Sequence, residues 1–486
     1  MTNAAATAGL GRDSIVGVVG AGAMGAGIAQ VAAAAGHRVL MFDALEGAAA
    51  RGRARIRAGL EGLVGRGRLA REDADSLLER IVVAETLEAL SGAALVIEAI
   101  VEALEIKRDL IGRLEAIVTP AAILATNTSS ISVTAIARGA QRPERIVGMH
   151  FFNPAPIMKL VEIVSGVATA PVIAERVFAT AEAWGKVAVH ARSTPGFIVN
   201  RVARAYYAEP LRLYEEQVAT PTTIDALMTE GAGFRMGPFA LMDLIGHDVN
   251  YAVSTSIFDA YYQEPRFRPS VAQRELVDAG RLGQKSGRGV YDYAEGAAGE
   301  APSTEPVCAD AALIDEFALG GDRLVDGVRI ALTDGRTAGK AALGGTPTIF
   351  HDLSAAEGAT RLGFAASPDV PRSVIDRFVA TLAAQGRMAT RLPDWPGLVA
   401  MRTVAMLANE GFEAVLQGVA TEDGVDSAMR FGVNYPRGPI DWARHIGLPH
   451  VLGVIDNLHD QIRDPRYRAS LGLRMAASAT LQDLQA

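Results

Sequence analysis

Short apolar, β-branched runs recur through the first part of the chain. They are Ile15 to Val19, His37 to Phe42, Ala94 to Ile100, Ile123 to Ala125, Arg145 to Met149, Leu160 to Val164 and Lys186 to Ala191. Helical patterns fill most gaps, among them Ala26 to Ala35 and Leu45 to Arg80. Strands alternating with helices predict a mostly parallel sheet with helices on both faces. After Thr194-Pro195-Gly196 the period changes. Apolar positions recur at i, i+3 and i+4 from Phe197 through Glu216, and again from Thr222 to Met228. Gly231, Gly233, Gly237 and Pro238 then break the pattern ahead of another helix from Phe239. This region reads as all-helical.

The breakers return later at a fixed offset of 201 positions: Pro396-Gly397-Leu398 repeats Pro195-Gly196-Phe197. Arg201 pairs with Arg402, Glu209 with Glu410, Asp225 with Asp426, and Gly237-Pro238 with Gly438-Pro439. The pairing reaches back to Arg176 and Arg377. A duplicated helical domain explains this. Between the copies, Glu295 to Thr390 holds strand-like runs at Val328 to Leu332, Thr348 to Phe350 and Arg361 to Phe364, with no glycine fingerprint. It reads as a small polar linker followed by a shortened α/β remnant. Four segments are expected: an α/β domain at 14–192, a helical domain at 193–295, linker and remnant at 296–390, and the second helical copy at 391–486. The copy carries Met401 where Asn200 stands, so a structural role is expected for it.

Composition narrows the function class. A net charge of −8 supplies no cationic field for nucleic acid. The single cysteine, Cys308, excludes an internal disulfide or a cysteine-rich metal site and fits a reducing, cytoplasmic setting. The first dozen residues do not read as a signal peptide, and no apolar run is long enough to span a bilayer. No membrane or nucleic-acid partner is expected.

The first strand leads into Gly20-Ala21-Gly22-Ala23-Met24-Gly25, a helix, a second strand and Asp43. Gly20 permits the tight turn, Gly22 lets a pyrophosphate approach the backbone, and Gly25 lets helix pack on strand. The helix N-terminus offers unpaired N–H groups to phosphates. A carboxylate at Asp43 suits the ribose hydroxyls of NAD and repels a 2′-phosphate. This is a Rossmann-type dinucleotide site. Further along, Glu102 and Lys107 follow a strand end, where they suit the cofactor or form an ordinary helix-start pair. Thr126-Asn127-Thr128-Ser129-Ser130 follows another strand, placing hydroxyl donors near a substrate oxygen or capping the helix expected over Ile131 to Arg138. Ala23, Met24, Asn127 and Asn153 complete the expected cofactor set. The arginine-rich stretch from Arg51 to Arg71 reads mostly as a solvated helix face, with some capacity to attract a phosphate-bearing ligand.

The stretch Met149 to Val164 concentrates chemistry. Pro154 and Pro156 predict a bend between two apolar runs, which would bring Glu162 towards His150. A carboxylate beside a partly buried imidazole strengthens it as a proton acceptor. The residues alone fit a structural histidine in a hairpin equally well.

Taken together, the G-A-G-A-M-G loop, V-I-E-A-I-V-E, T-N-T-S-S, H-F-F-N-P-A-P-I-M-K-L-V-E and T-P-G-F-I-V-N-R resemble the L-3-hydroxyacyl-CoA dehydrogenase family. The match runs from about Ile15 to Tyr293. The longer, duplicated architecture resembles the bacterial subgroup acting on 3-hydroxyadipyl-CoA or 3-hydroxybutyryl-CoA. The resemblance implies reversible, NAD-dependent oxidation of an acyl-CoA 3-hydroxyl. It places the catalytic histidine and its glutamate on His150 and Glu162, and the residues near the substrate oxygen on Ser129 and Asn200. Asp43, Glu102 and Lys107 take the cofactor positions. A small hydroxyl residue of the family is Gly59 here, while a basic residue for CoA remains at Arg66. For a dicarboxylate substrate, Arg201, Arg204 and Arg235 are candidate cations. A CoA-free hydroxy or sugar acid is the alternative substrate class, and a non-catalytic NAD-binding protein the remaining alternative. The family pairs such helical domains in a dimer, so a homodimer or a pseudo-dimeric monomer is expected.

Overall fold

The computed structural model describes residues 8–354 and 358–485. Residues 1–7, part of the stretch that does not read as a signal peptide, lie outside it. The chain divides into two compact units. One runs to Val199 and takes in Gly418–Val433, and the other comprises Asn200–Gln417 and Asn434–Ala486.

The first unit carries an eight-stranded sheet of β1 (Ile15–Val19), β2 (Val39–Phe42), β3 (Ile81–Val83), β4 (Ala93–Glu98), β5 (Ile123–Thr126), β6 (Ile146–Phe151), β7 (Leu160–Ser165) and β8 (Val187–Arg192). The strand order is β3-β2-β1-β4-β5-β6-β7-β8. The pairings from β3 to β6 are parallel, β7 is antiparallel to β6, and β8 is parallel to β7. Connection length explains the reversal. Only the proline bend joins β6 to β7, which suffices for an antiparallel pair, whereas the helix Pro171–Ala183 carries the chain from β7 back to a parallel β8. Helices cover the sheet, so Val18, Ile97, Ile123, Val147 and Ile163 are fully buried. The Leu45 to Arg80 pattern is two helices, Ala48–Gly65 and Arg71–Glu79, followed by the short strand β3 that the pattern did not announce. Most of these arginines are solvated, as their spacing suggests, and Arg53 is the half-buried exception. Arg53 donates to Ile81 O at 2.8 Å and Leu78 O at 3.1 Å, and Arg71 pairs with Glu61. The helix expected over Ile131 to Arg138 is a single turn, Val133–Ile136, capped by Ser132. The helix Glu422–Gly432, from the second copy, packs on β7 and β8, and Arg192 N–H donates to Val419 O at 2.8 Å.

The second unit contains a five-stranded sheet of β9 (Arg323–Val325), β10 (Val328–Leu332), β11 (Thr348–His351), β12 (Arg361–Ala366) and β13 (Met388–Arg391). Its order is β13-β12-β11-β10-β9. β10 and β11 are parallel, β11 and β12 antiparallel, β12 and β13 parallel. That sequence of senses reproduces β5 to β8 of the first sheet, so the remnant keeps that half and has lost the glycine-loop half. A hairpin through Asp326 and Gly327, both at positive φ, adds β9 at the exposed edge.

Helices of both copies fill the rest of this unit, with Arg204–Glu215 packed against Ala400–Leu416. The first copy breaks its opening helix into Val199–Val202 and Arg204–Glu215, where one run was expected. Repeat-related residues pair crosswise. Arg201 Nε donates to Glu410 Oε1 at 2.6 Å, and Arg402 Nε to Glu209 Oε2 at 2.9 Å, all four buried. The segment Leu227–Gly231 lies against β12, where Thr360 N–H donates to Glu230 O and Arg361 Nε meets Glu230 Oε2 at 2.7 Å. The tail Gly283 to Tyr293 wraps Asp243, which accepts from Val290 and Tyr291 N–H and from the Tyr293 hydroxyl. That tail is a structural closure. Among the described residues, no helix is long and apolar enough to cross a membrane, and no cluster of side chains has the composition to hold a metal.

Candidate active site

The glycine loop turns tightly between β1 and the helix Ala23–Ala34. Gly20 has φ +96°, and a Cβ there would lie 2.5 Å from Ala99 O. A Cβ on Gly25 would lie 1.8 Å from Gly20 O, so helix and strand touch through this glycine. Gly22 is different: a Cβ would meet nothing within 4 Å. Its space faces outward at a helix N-terminus with no side-chain cap. That is a fitting cradle for a pyrophosphate. Asp43, just past β2, accepts from Ala21 N–H at 2.7 Å and Leu45 N–H at 2.9 Å, which fixes its carboxylate beside the loop. Arg55 donates to Ala21 O and braces the same loop from the following helix. The donor set fits NAD.

At the ends of β4 and β5 a carboxylate network forms. Glu98 is fully buried and binds Lys107 Nζ at 3.0 and 2.9 Å, with the Thr126 hydroxyl as a further donor. Lys107 is itself buried and reaches Glu102 Oε2 at 3.3 Å. Its ammonium is therefore engaged by two carboxylates and acts through them. Glu102 gathers the polar turn, accepting from the Thr128 hydroxyl at 2.6 Å, Ser129 N–H at 3.0 Å and Ser130 N–H at 3.2 Å. Burial pushes this carboxyl up, but Thr128, the Lys107 charge and Ser129 together hold it below its ordinary value. The spacing of Glu102 and Lys107 gave a pair. Glu98, Thr126 and Thr128 were not singled out, because their roles appear only when neighbouring strand ends meet.

His150 and Glu162 stand directly opposite in the β6–β7 register. His150 Nδ1 lies 2.6 Å from Glu162 Oε2, with both side chains buried. The other carboxylate oxygen accepts from Ile198 and Val199 N–H, each at 3.0 Å. Both oxygens have donors, so the carboxylate cannot swing away and the imidazole keeps its proton on Nδ1. Phe152 and Phe197 flank the ring at 4.5 and 5.8 Å between centroids. Nε2 is left as the acceptor.

The remaining expected residues fall in several places. Ser129 sits in the Glu102 turn. Asn127 uses its side-chain oxygen on Phe151 N–H at 2.8 Å, tying the ends of β5 and β6 together. Asn153 is exposed beyond β6, and Arg66 is exposed at the end of Ala48–Gly65 with Gly59 open on the same helix. Asn200 begins the second unit, and its carbonyl accepts from Arg204 Nε at 2.9 Å. A cavity of about 600 Å³ lies along β8 and Gly418 to Ser427, and none of these residues line it.

Known proteins match this arrangement. The family model described as "3-hydroxyacyl-CoA dehydrogenase, NAD binding domain" matches residues 15–194, and that for "3-hydroxyacyl-CoA dehydrogenase, C-terminal domain" matches 196–293 and again 397–483. The 3-hydroxyadipyl-CoA dehydrogenase of Escherichia coli K12 is 45% identical over 95% of this chain and 97% of its own length. A crystal structure of 3-hydroxybutyryl-CoA dehydrogenase from E. coli K12 superposes with a TM-score of 0.92, at 45% identity over 96% of this chain and 98% of that one. The probable 3-hydroxybutyryl-CoA dehydrogenase of Bacillus subtilis is 42% identical over 57% of this chain and 96% of its own. A fingerprinted NAD cradle, a locked His–Glu pair and matches to both domain types, the helical one twice, lead to one statement: this chain belongs to the 3-hydroxyacyl-CoA dehydrogenase family.

Proposed function

We propose that this NAD-dependent dehydrogenase oxidises the 3-hydroxyl of 3-hydroxyadipyl-CoA or 3-hydroxybutyryl-CoA, and reduces the 3-oxo product in reverse. The observation that carries the reading is the buried His150–Glu162 pair, with one carboxylate oxygen on the imidazole and the other on two backbone N–H groups. His150 Nε2 takes the hydroxyl proton, and Glu162 stabilises the imidazolium that forms. Ser129 and Asn200 hold the reacting oxygen, which lowers the entropic part of the barrier. NAD, when bound, accepts the hydride released from C3. Gly20 to Gly25, Asp43, Asn127 and Asn153 hold the cofactor, with Glu102 oriented by Lys107. Arg66 meets the CoA phosphates.

The relatives in E. coli and B. subtilis named for adipyl and butyryl substrates support the acyl-CoA class. For a dicarboxylate substrate, the surroundings of the three candidate arginines support one choice of cation. Arg201 is bound by Glu410, and Arg204 is buried against Asn200 O and the Ser254 hydroxyl. Arg235 is exposed, and we assign it that role. The crosswise Arg–Glu pairs support a pseudo-dimeric monomer, and the exposed Cys308 thiol supports a cytoplasmic setting. The test is NADH consumption with acetoacetyl-CoA and with 3-oxoadipyl-CoA at neutral pH. Turnover of either supports the reading, and the kcat/KM ratio selects the substrate. Reduction of the free acids alone would refute the CoA assignment.

A further inference from the structure

The remnant sheet repeats the strand senses of β5 to β8, so the carboxyl ends of β10 and β11 correspond to the strand ends that carry Ser129 and His150. Open α/β sheets bind ligands at such ends. A cavity of about 950 Å³ opens there, lined by Leu332 at the end of β10, His351 at the end of β11, and by Arg387, Arg437, Trp442 and His445. That volume lies within the range of small-molecule pockets. Among the described residues that line it there is no carboxylate.

At the offset of 201, Arg387 and His351 stand where the first half has Lys186 and His150, but two other lining residues are new to the second copy. At the offset of 201, Arg437 stands where the first copy has Met236, and His445 where it has Leu244. Both counterparts are apolar and exposed. The second copy has thus placed a guanidinium and an imidazole at positions that are greasy in the first, in a chain of net charge −8. Arg437 pairs with Asp441 at 3.1 Å, with both side chains partly open to solvent. Arg387 donates through Nε to Ala359 O at 3.3 Å, which leaves the far end of its guanidinium. His351 is held by Asp352 O on Nδ1 at 3.0 Å, so Nε2 is its acceptor. Burial pushes this histidine down to about 4, and it stays neutral at pH 7.

We propose that the remnant holds a second, non-catalytic pocket for a small hydroxycarboxylate, with its carboxylate on Arg387 and Arg437 and its hydroxyl on His351. Guanidinium forks match carboxylates in geometry as well as charge. A neutral imidazole acceptor calls for a ligand hydroxyl, and Leu332 and Trp442 offer apolar surface to a short carbon chain.

The test is calorimetric titration of the full-length protein with 3-hydroxybutyrate and, separately, inorganic phosphate. Three proteins are compared: wild type, His150→Gln, and the double variant Arg437→Met/His445→Leu, which installs the first copy's residues. The expected result is saturable 3-hydroxybutyrate binding to wild type and His150→Gln, weakened at least 10-fold in the double variant. That variant should keep its thermal midpoint and its turnover of acyl-CoA. Absence of binding, equal binding by the double variant, loss of binding in His150→Gln, or binding of phosphate alone would each overturn the proposal.

Discussion

The β6–β7 pair and the β11–β12 pair are the same structural unit put to different ends. In the first, His150 faces Glu162. In the second, Phe364 stands at the offset of 201 from Ile163, and Asp352 N–H donates to Gly363 O, which puts Asp352 opposite the residue at the Glu162 position. The dyad has become an aspartate facing a glycine. Its folding duty survives. Glu162 accepts from Ile198 and Val199 N–H, and Asp352 accepts from the equivalent Val399 and Ala400, and from Met401 besides. Both copies need this because the preceding turn is strained: Gly196 and Phe197 have φ of 75° and 46°, Gly397 and Leu398 of 74° and 54°. In the remnant both carboxylate oxygens are engaged by backbone. In the catalytic unit one oxygen is left over for an imidazole. On the proposed mechanism, catalysis occupies what capping leaves free.

Four changes would break or sharpen this contrast. His150→Gln should lower kcat by roughly 10²-fold or more while NAD binding, measured by titration, is unchanged. A near-normal kcat would remove the histidine from the mechanism. Next, Glu162→Gln and Asp352→Asn should separate the two duties. The first should cost at least ~10-fold in kcat, whereas the second should cost about 1–3 kcal/mol in denaturant unfolding with the turnover of folded protein unchanged. Equal effects of both on kcat would dissolve the contrast.

A third change uses pH. Burial pushes Asp352 up to about 6, against the pull of its backbone N–H donors. A folded value above the unfolded one contributes stability that is complete below the unfolded value and lost as pH rises through about 6. The stability of wild type relative to Asp352→Asn should therefore increase as pH falls from 7 towards 4, read from unfolding midpoints in a pH series. A gap independent of pH would show that the carboxyl does not titrate there. The smallest effect is expected at Arg235. Arg235→Ala should lower kcat/KM for 3-oxoadipyl-CoA by roughly 10-fold and leave acetoacetyl-CoA untouched. A uniform loss on both substrates would dismiss Arg235 as the carboxylate's partner.

Much of the catalytic unit could be read from local pattern. The strands Ile15 to Val19 and Leu160 to Val164 announced themselves as β-branched runs, and the glycine loop fixed its own turn. His150 and Glu162 were legible because two prolines bend the chain between two strand-like runs. What escaped depends on distant partners. β3, β9 and β13 are three or four residues long and carry too few positions to show alternation. Glu98 looked like one more strand residue, and only its neighbours Lys107 and Thr126 reveal its purpose. Asn127 stood out as a polar residue past a strand end, but the bond from Phe151 N–H to its side-chain oxygen shows only once β5 and β6 lie side by side. The repeat itself was plain, yet its crosswise salt bridges were not, since an offset says which residues correspond and not which ones touch.

The exchange of segments has a consequence for biosynthesis. Leu227–Gly231 rests on β12, while its repeat counterpart within Glu422–Gly432 rests on β7 and β8. Each half lends a piece to the sheet of the other. The first sheet, though encoded before Val199, is therefore finished only by Gly418–Val433, residues that leave the ribosome long after it. A nascent chain holds β7 and β8 uncovered throughout that interval, and cutting the gene at the linker would yield two fragments that each lack a part carried by the other.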